Sequence, residues 1–389
     1  MRTFFHLDEI ILAITLLLLI SAVAIPLARK FGMGADLGLL LAGVIFGSSH
    51  VLGPTQIDRM REISELGVVF FLFLIGLELD LRKVWSLRRY AVALGTLQLL
   101  LTGFALMFYW RLFEPSWSLA LLLGLVIANS STALVLQMLT AKHEMEEEHG
   151  RAAFGVLLFQ DLTVVPIMVL IPEFAGIGSA ESISWLAVGT DIGVMLLLFG
   201  AGRLIFPWLF RWTLDHNMTE SFTALIFIAV LGSAWLASRT GLSMTLGAFL
   251  MGLAISGTAH RHGVEQEVRP FKNLLLGLFF VSVGLSMDLS VLTGHKALLL
   301  LHVLVIVTAK VVVLYLAART ISMGHRDAVR LSFLMSQGGE FGFVVLGILL
   351  ASKVATPFQF ALGTMVIALT MIATPLLDRI GIYLSRRSE

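Results

Sequence analysis

Three ionisable side chains stand near the centres of long apolar runs: Asp161, Lys310 and Glu340. Charge at membrane depth is expensive, so a carboxylate or amine found there is read first as a working group. Asp161 sits in Leu157-Leu158-Phe159-Gln160-Asp161, and a carboxylate in that setting can hold a proton and a metal cation in turn. Two polar clusters interrupt other apolar runs, Asn129-Ser130-Ser131-Thr132 and Gln337-Gly338-Gly339-Glu340. Small and hydrogen-bonding residues in such positions predict broken helices, tolerated at depth where protein or a water-filled cavity satisfies the backbone. Carbonyls released at a break, together with half-helix C-termini, can coordinate a cation, while opposed N-termini balance the charge. Asp161, Gln160, Asn129, Ser130, Ser131 and Thr132 are therefore the expected ion-binding residues, with Lys310 as charge partner of Asp161. A purely structural Asp161–Lys310 pair is the competing reading. It is disfavoured because apolar packing could replace such a pair at little cost.

These groups recur in an internal repeat. Leu72-Phe-Leu-Ile-Gly76-Leu77-Glu-Leu-Asp80-Leu81 reappears as Phe280-Val-Ser-Val-Gly284-Leu285-Ser-Met-Asp288-Leu289, and at the same offset Asn129-Ser130-Ser131 falls on Gln337-Gly338-Gly339. With one residue of slip, Gly38 and Gly43 match Gly247 and Gly252, and Pro166 matches Pro375. Paired interrupted segments in the two halves of a chain point to the binding site of a secondary transporter.

The elements that position these residues follow from composition. Of 389 residues, 58% are hydrophobic and 14% charged, against about 25% charged in a soluble domain. This predicts an all-α polytopic membrane protein surrounded by lipid. A net charge of +1 gives no case for nucleic acid, and the absence of cysteine excludes disulfides and thiolate metal sites. No cleavable signal peptide is expected at the N-terminus, because the first apolar run continues to full spanning length.

A spanning helix needs roughly 20 apolar residues. Thirteen runs qualify, near 8–28, 36–53, 62–79, 91–112, 117–139, 151–172, 184–208, 220–238, 241–257, 272–290, 297–318, 329–350 and 356–378. Most of the 27 Lys and Arg residues fall on one set of loops, which by the positive-inside rule places the N-terminus outside and the C-terminus in the cytoplasm. Asp80 then ends its run inside and Asp288 outside, so the two copies are inverted. One antiporter domain spans 1–389, with repeat one at 8–172, a linker helix at 184–208 and repeat two at 220–378. The last three runs (297–318, 329–350 and 356–378) and their counterparts (91–112, 117–139 and 151–172) would form a moving transport unit. The other helices would form a dimer scaffold. No separate soluble domain is expected, the longest hydrophilic stretch being a loop around 258–271.

Several motifs together carry a resemblance. Gly76-Leu-Glu-Leu-Asp80, Ser130-Ser-Thr-Ala133, Leu157-Leu-Phe-Gln-Asp161, Leu274-Leu-Leu-Gly-Leu-Phe-Phe280, Lys310 and Gln337-Gly-Gly-Glu-Phe341 resemble the Kef-type glutathione-gated potassium efflux antiporters. That group lies in the monovalent cation:proton antiporter-2 family, and the likeness covers essentially the whole chain. It implies a thirteen-helix fold, a homodimer in the bacterial inner membrane, and elevator-type exchange of potassium for protons. By the same likeness, Asp161 is the carboxylate that holds potassium (or sodium) and Gln160 its neighbour, where sodium/proton relatives carry a second aspartate. Asn129 departs from the pattern, which has an apolar residue there. His262, Glu265 and Glu267 match a regulatory loop of that family, a solvated loop being the plain alternative. Kef-type proteins continue into a cytoplasmic nucleotide-binding domain that these 389 residues do not include, so no cofactor is expected in this chain.

Alternatives within and beyond this class are a sodium/proton antiporter, a cation channel and an intramembrane hydrolase. The hydrolase lacks a nucleophile with a base or a metal at depth. Lys142-His-Glu-Met-Glu-Glu-Glu-His149 reads as a solvated acidic loop rather than a metal site, and His302 as a helix or lipid contact. The glycines of the second and ninth runs read as packing positions, since no strand precedes them as a phosphate loop requires.

Overall fold

The computed structural model describes residues 2–30, 35–48, 54–78, 85–174, 185–216, 218–239, 244–285, 287 and 294–386. Asp80, Asp288 and the loop basic residues Arg82 and Lys83 lie outside the described residues. Those described are helical with short connections, and no strand occurs among them. Seven helical spans among them are long and apolar enough to cross a membrane: Arg89–Trp110, Trp117–Ala141, Gly193–Asp215, Thr219–Arg239, Arg261–Leu285, Lys296–Thr320 and Pro357–Arg386. Shorter apolar helices, such as Met244–Ser256 and Phe341–Ala351, accompany them. Outward-facing side chains are themselves apolar, with Leu300 68% and Leu304 61% exposed on one helix. A lipid environment accommodates such a surface.

The chain divides into two compact units. The first comprises Met1–Ser21, Ser49–Asp80 and Ser179–Val283. Its core joins Phe70, Phe73 and Leu77 to Phe210, Phe222, Ile226, Met251, Val264 and Val268. Gly76 and Gly252 allow the helices Pro54–Glu78 and Met244–Ser256 to cross closely: a Cβ at Gly76 would lie 2.3 Å from the Phe249 carbonyl oxygen, and one at Gly252 2.0 Å from that of Phe73. Close packing is therefore the use of the ninth run's glycine.

The hydrophilic stretch expected as a loop is mostly helix, beginning at Arg261 within Arg261–Leu285. Val264 and Val268, one turn apart, are fully buried in the first core and hold it in that form. On its polar faces His262 approaches Glu265 at 3.6 Å, Glu265 also meets Arg269, and Glu267 accepts a 3.0 Å hydrogen bond from Thr223 Oγ1. Just before this helix, burial holds His260 below the ordinary imidazole range, with Arg211 adding to the effect and Asp215 opposing it.

The second unit comprises Ala22–Ser48, Leu81–Gly178 and Gly284–Glu389. It contains all six runs expected to travel together. One core of this unit joins Leu106, Trp110, Ala120 and Ile127 to Leu299, Ile306, Met365 and Val366. Both predicted breaks are present, between the helices Trp117–Ala128 and Thr132–Ala141 and between His325–Leu334 and Phe341–Ala351.

Candidate ion-binding site

The first break is built by residues that cannot continue a helix while their side chains are engaged elsewhere. Asn129 and Ser131 both take extended backbone conformations. The Ser131 hydroxyl then accepts a 3.3 Å hydrogen bond from Leu134 N, capping the second half-helix. Ser130, between them, donates through its backbone N to Gln160 Oε1 at 2.9 Å and through Oγ to the Met335 carbonyl at 2.8 Å. That second bond ties the two breaks together. At the other break, Gly338 N donates to Thr370 Oγ1 at 3.0 Å. A Cβ on Gly339 would stand 3.0 Å from both the carbonyl carbon and oxygen of Ser130, so any side chain there would press the two backbones apart by a few tenths of an ångström.

Lys310 holds the crossing electrostatically. It is fully buried, and its ammonium donates to the carbonyls of Ile127 (3.1 Å), Ala128 (3.0 Å), Asn129 (2.8 Å) and Gln337 (2.6 Å), and to Ser130 Oγ (3.0 Å). All five of these bonds go to neutral oxygens, so the cation drawn to the half-helix C-termini is the chain's own amine. The reason is local: a helix ending mid-membrane leaves carbonyls that need donors, and its C-terminal partial charge favours a cation.

Asp161 lies on the helix Glu148–Phe174 and is half-buried. Thr132, the first residue of the second half-helix, donates through Oγ1 to Asp161 Oδ1 at 3.1 Å, with Oδ2 at 3.4 Å. The carboxylate therefore meets a half-helix N-terminus, where partial positive charge favours an anion. Glu340, also buried, occupies the N-cap position of Phe341–Ala351. The ammonium sits at C-terminal ends and the two acids at N-terminal ends.

Of the other expected ligands, Thr132 is thus brought to Asp161. Ser130, Ser131 and Gln160 hold the break, and Asn129 turns its amide back to the Leu125 carbonyl at 2.9 Å. Asn129 Oδ1 and both side-chain amide atoms of Gln337 are buried without a hydrogen-bond partner among the described residues. Buried polar atoms in that condition are places where water or an ion is accepted.

Two features escaped the sequence reading. Gln98, fully buried on Gly95–Trp110, donates to the Ala128 carbonyl at 2.9 Å and accepts from Gln160 Nε2 at 2.7 Å. A lone amide in an apolar run was its visible signal. The second is an ion network in which Arg330 bonds Asp378 Oδ1 at 2.9 Å and also meets Glu144, while Lys142 meets Asp378. His149 Nδ1 lies 2.8 Å from Asp327 Oδ1 and Nε2 3.4 Å from Glu144 Oε2. The segment 142–149 is therefore anchored through Glu144 and His149 to neighbouring helices, while Lys142, His143, Glu146 and Glu147 are exposed as the loop reading expects. His302 makes a helix contact: it bonds Tyr109 Oη and packs edge-on to Trp110 and Phe113.

The fold is similar to that of the sodium proton antiporter MjNhaP1 from Methanocaldococcus jannaschii. Against its structure at pH 8 the TM-score is 0.65 at 18% identity, over 99% of this chain and 100% of that one. Against a second structure, from an electron-microscopy map, it is 0.55 at 17% identity, over 99% and 96%. At such identity the likeness speaks to the fold. The family described as sodium/hydrogen exchanger, transmembrane, matches residues 15–379. This chain belongs to the sodium/hydrogen exchanger family and is a membrane cation/proton antiporter, not an enzyme.

Proposed function

We propose that this antiporter exchanges potassium for protons at Asp161, one for one, by an elevator movement of the six runs within 91–172 and 297–378. The observation that carries the reading is the placement of Lys310. Its ammonium is satisfied by five neutral oxygens at the crossing, so it serves as a standing charge while Asp161, with Thr132, takes proton or cation. Exchange of one cation for one proton on one carboxylate moves no net charge. The neighbour Gln160 adds no second charge, and a weak field favours the cation that is cheaper to dehydrate, which is potassium. Every element of the site belongs to one compact unit, as an elevator requires of its carriage.

A sodium/proton antiporter is the second reading, favoured by the family description and by MjNhaP1. The protein is further proposed to work as a homodimer in a bacterial inner membrane, N-terminus outside. The side chains of His262, Glu265 and Glu267 are proposed as a regulatory contact.

The test is proton flux in proteoliposomes, with potassium and sodium supplied separately and the membrane potential varied. Potassium-driven flux insensitive to voltage is expected. Sodium preference or steep voltage dependence would replace this reading with the second one.

A further inference from the structure

We propose that Gln98 is a positioning residue that sets cation preference by fixing the orientation of the Gln160 amide. This rests on Asp161 being the exchange site. The two amides form a chain whose polarity is locked at both ends by backbone groups. Ala128 C=O can only accept, so Gln98 must present Nε2 to it, at 2.9 Å. Gln98 Oε1 is then left facing Gln160, which answers with its own Nε2 at 2.7 Å. That directs Gln160 Oε1 to Ser130 N, a group that can only donate, at 2.9 Å.

Reversing either amide would set donor against donor and acceptor against acceptor. Gln98 and Gln160 are 0% and 1% exposed, so no bulk water is present to relieve such a mismatch, and buried unmade hydrogen bonds are costly. Thr102 Oγ1, 3.4 Å from Gln98 Nε2, gives that end a further partner. Gln160 therefore keeps its oxygen on the break, although it is the immediate neighbour of the carboxylate that binds the ion. The consequence is a low-field site composed of one carboxylate and the Thr132 hydroxyl. Without Gln98, the Gln160 nitrogen loses its 2.7 Å acceptor and keeps only the 3.5 Å contact to the Ala128 carbonyl, and the amide gains freedom to swing its oxygen towards the cation. An added oxygen dipole strengthens the field and favours the smaller, more strongly hydrated ion.

The experiment compares Q98M, which keeps volume but neither donates nor accepts, with the parent protein. Apparent KM for potassium and for sodium is read from proton flux in proteoliposomes. In Q98M the ratio of the two is expected to move towards sodium by about fivefold, the scale of one hydrogen bond. The double variant Q98M/Q160M should match Q160M alone, because Gln98 acts through Gln160. An unchanged ratio in folded Q98M, or additive effects in the double variant, would overturn the proposal. Should Q98M not survive purification, Q98N replaces it, being too short to reach both partners, with the same expected shift. Loss of cation-driven proton flux from the parent protein itself would instead defeat the assignment of exchange.

Discussion

Arg330 and Asp378 form a buried ion pair, Nη1 to Oδ1 at 2.9 Å, with side chains 5% and 1% exposed. The pair joins His325–Leu334, which leads into the second break, to Pro357–Arg386, which carries Thr370 beneath that break. Removing one partner of a buried pair costs about 3–5 kcal/mol, because the other charge is stranded. Lys142 also meets Asp378 and softens the loss, so Arg330→Met is expected at the lower end of that range. The double variant Arg330→Met/Asp378→Leu should recover much of the stability. Thermal unfolding in detergent measures both, and a double variant as unstable as the sum of the single ones would contradict the pairing.

Asp161→Asn is expected to abolish cation-dependent proton flux while leaving folding intact, since an amide carries neither the proton nor the balancing charge. Thr132→Ala removes the hydroxyl that donates to the carboxylate at 3.1 Å. Hydrogen bonds to charged groups contribute about 1.5–3 kcal/mol, so cation KM should change by at least about tenfold, with Thr132→Ser restoring it. Flux with a pH-sensitive dye reports all three. Activity in Asp161→Asn would remove that carboxylate from the mechanism.

Lys310→Ala should act first on stability. It deprives the carbonyls of Ile127, Asn129 and Gln337 of the donor seen in the structure, and each buried unmade bond costs about 1–3 kcal/mol. A loss on the order of 3 kcal/mol or more is expected, together with an upward shift in the pH dependence of any remaining transport. Unchanged unfolding would mean that water replaces the amine without penalty.

Gly339→Ala places a methyl 3.0 Å from the Ser130 backbone. Because backbone atoms must yield, the crossing should open by tenths of an ångström and the Ser130–Met335 bond weaken. Lower thermal stability with reduced turnover is expected. A variant with parental turnover would show that the two breaks tolerate separation.

Gln160→Asp replaces an amide that both donates and accepts with a shorter group that only accepts. Selectivity should move towards sodium through the second carboxylate, and stability should fall because Gln98 Oε1 loses its donor. Cation-specific flux paired with unfolding measures both. Retained potassium preference would show that charge density at this position does not decide ion choice.

Sequence by itself determined the helical membrane class and the two breaks. Long apolar runs have few structural solutions in lipid, and a polar interruption within one is conspicuous. Tertiary structure alone decided the partners. Lys310 was visible as a buried base, but its choice of five neutral oxygens depended on where two half-helix C-termini converge. Gln98 looked like an isolated amide until folding set it between Ala128 and Gln160. Glu144 and His149 looked solvated, because hydropathy along a chain cannot register the distant helix that covers a residue. Periodicity and composition report local preference, whereas hydrogen-bond direction and charge pairing arise between segments far apart in sequence.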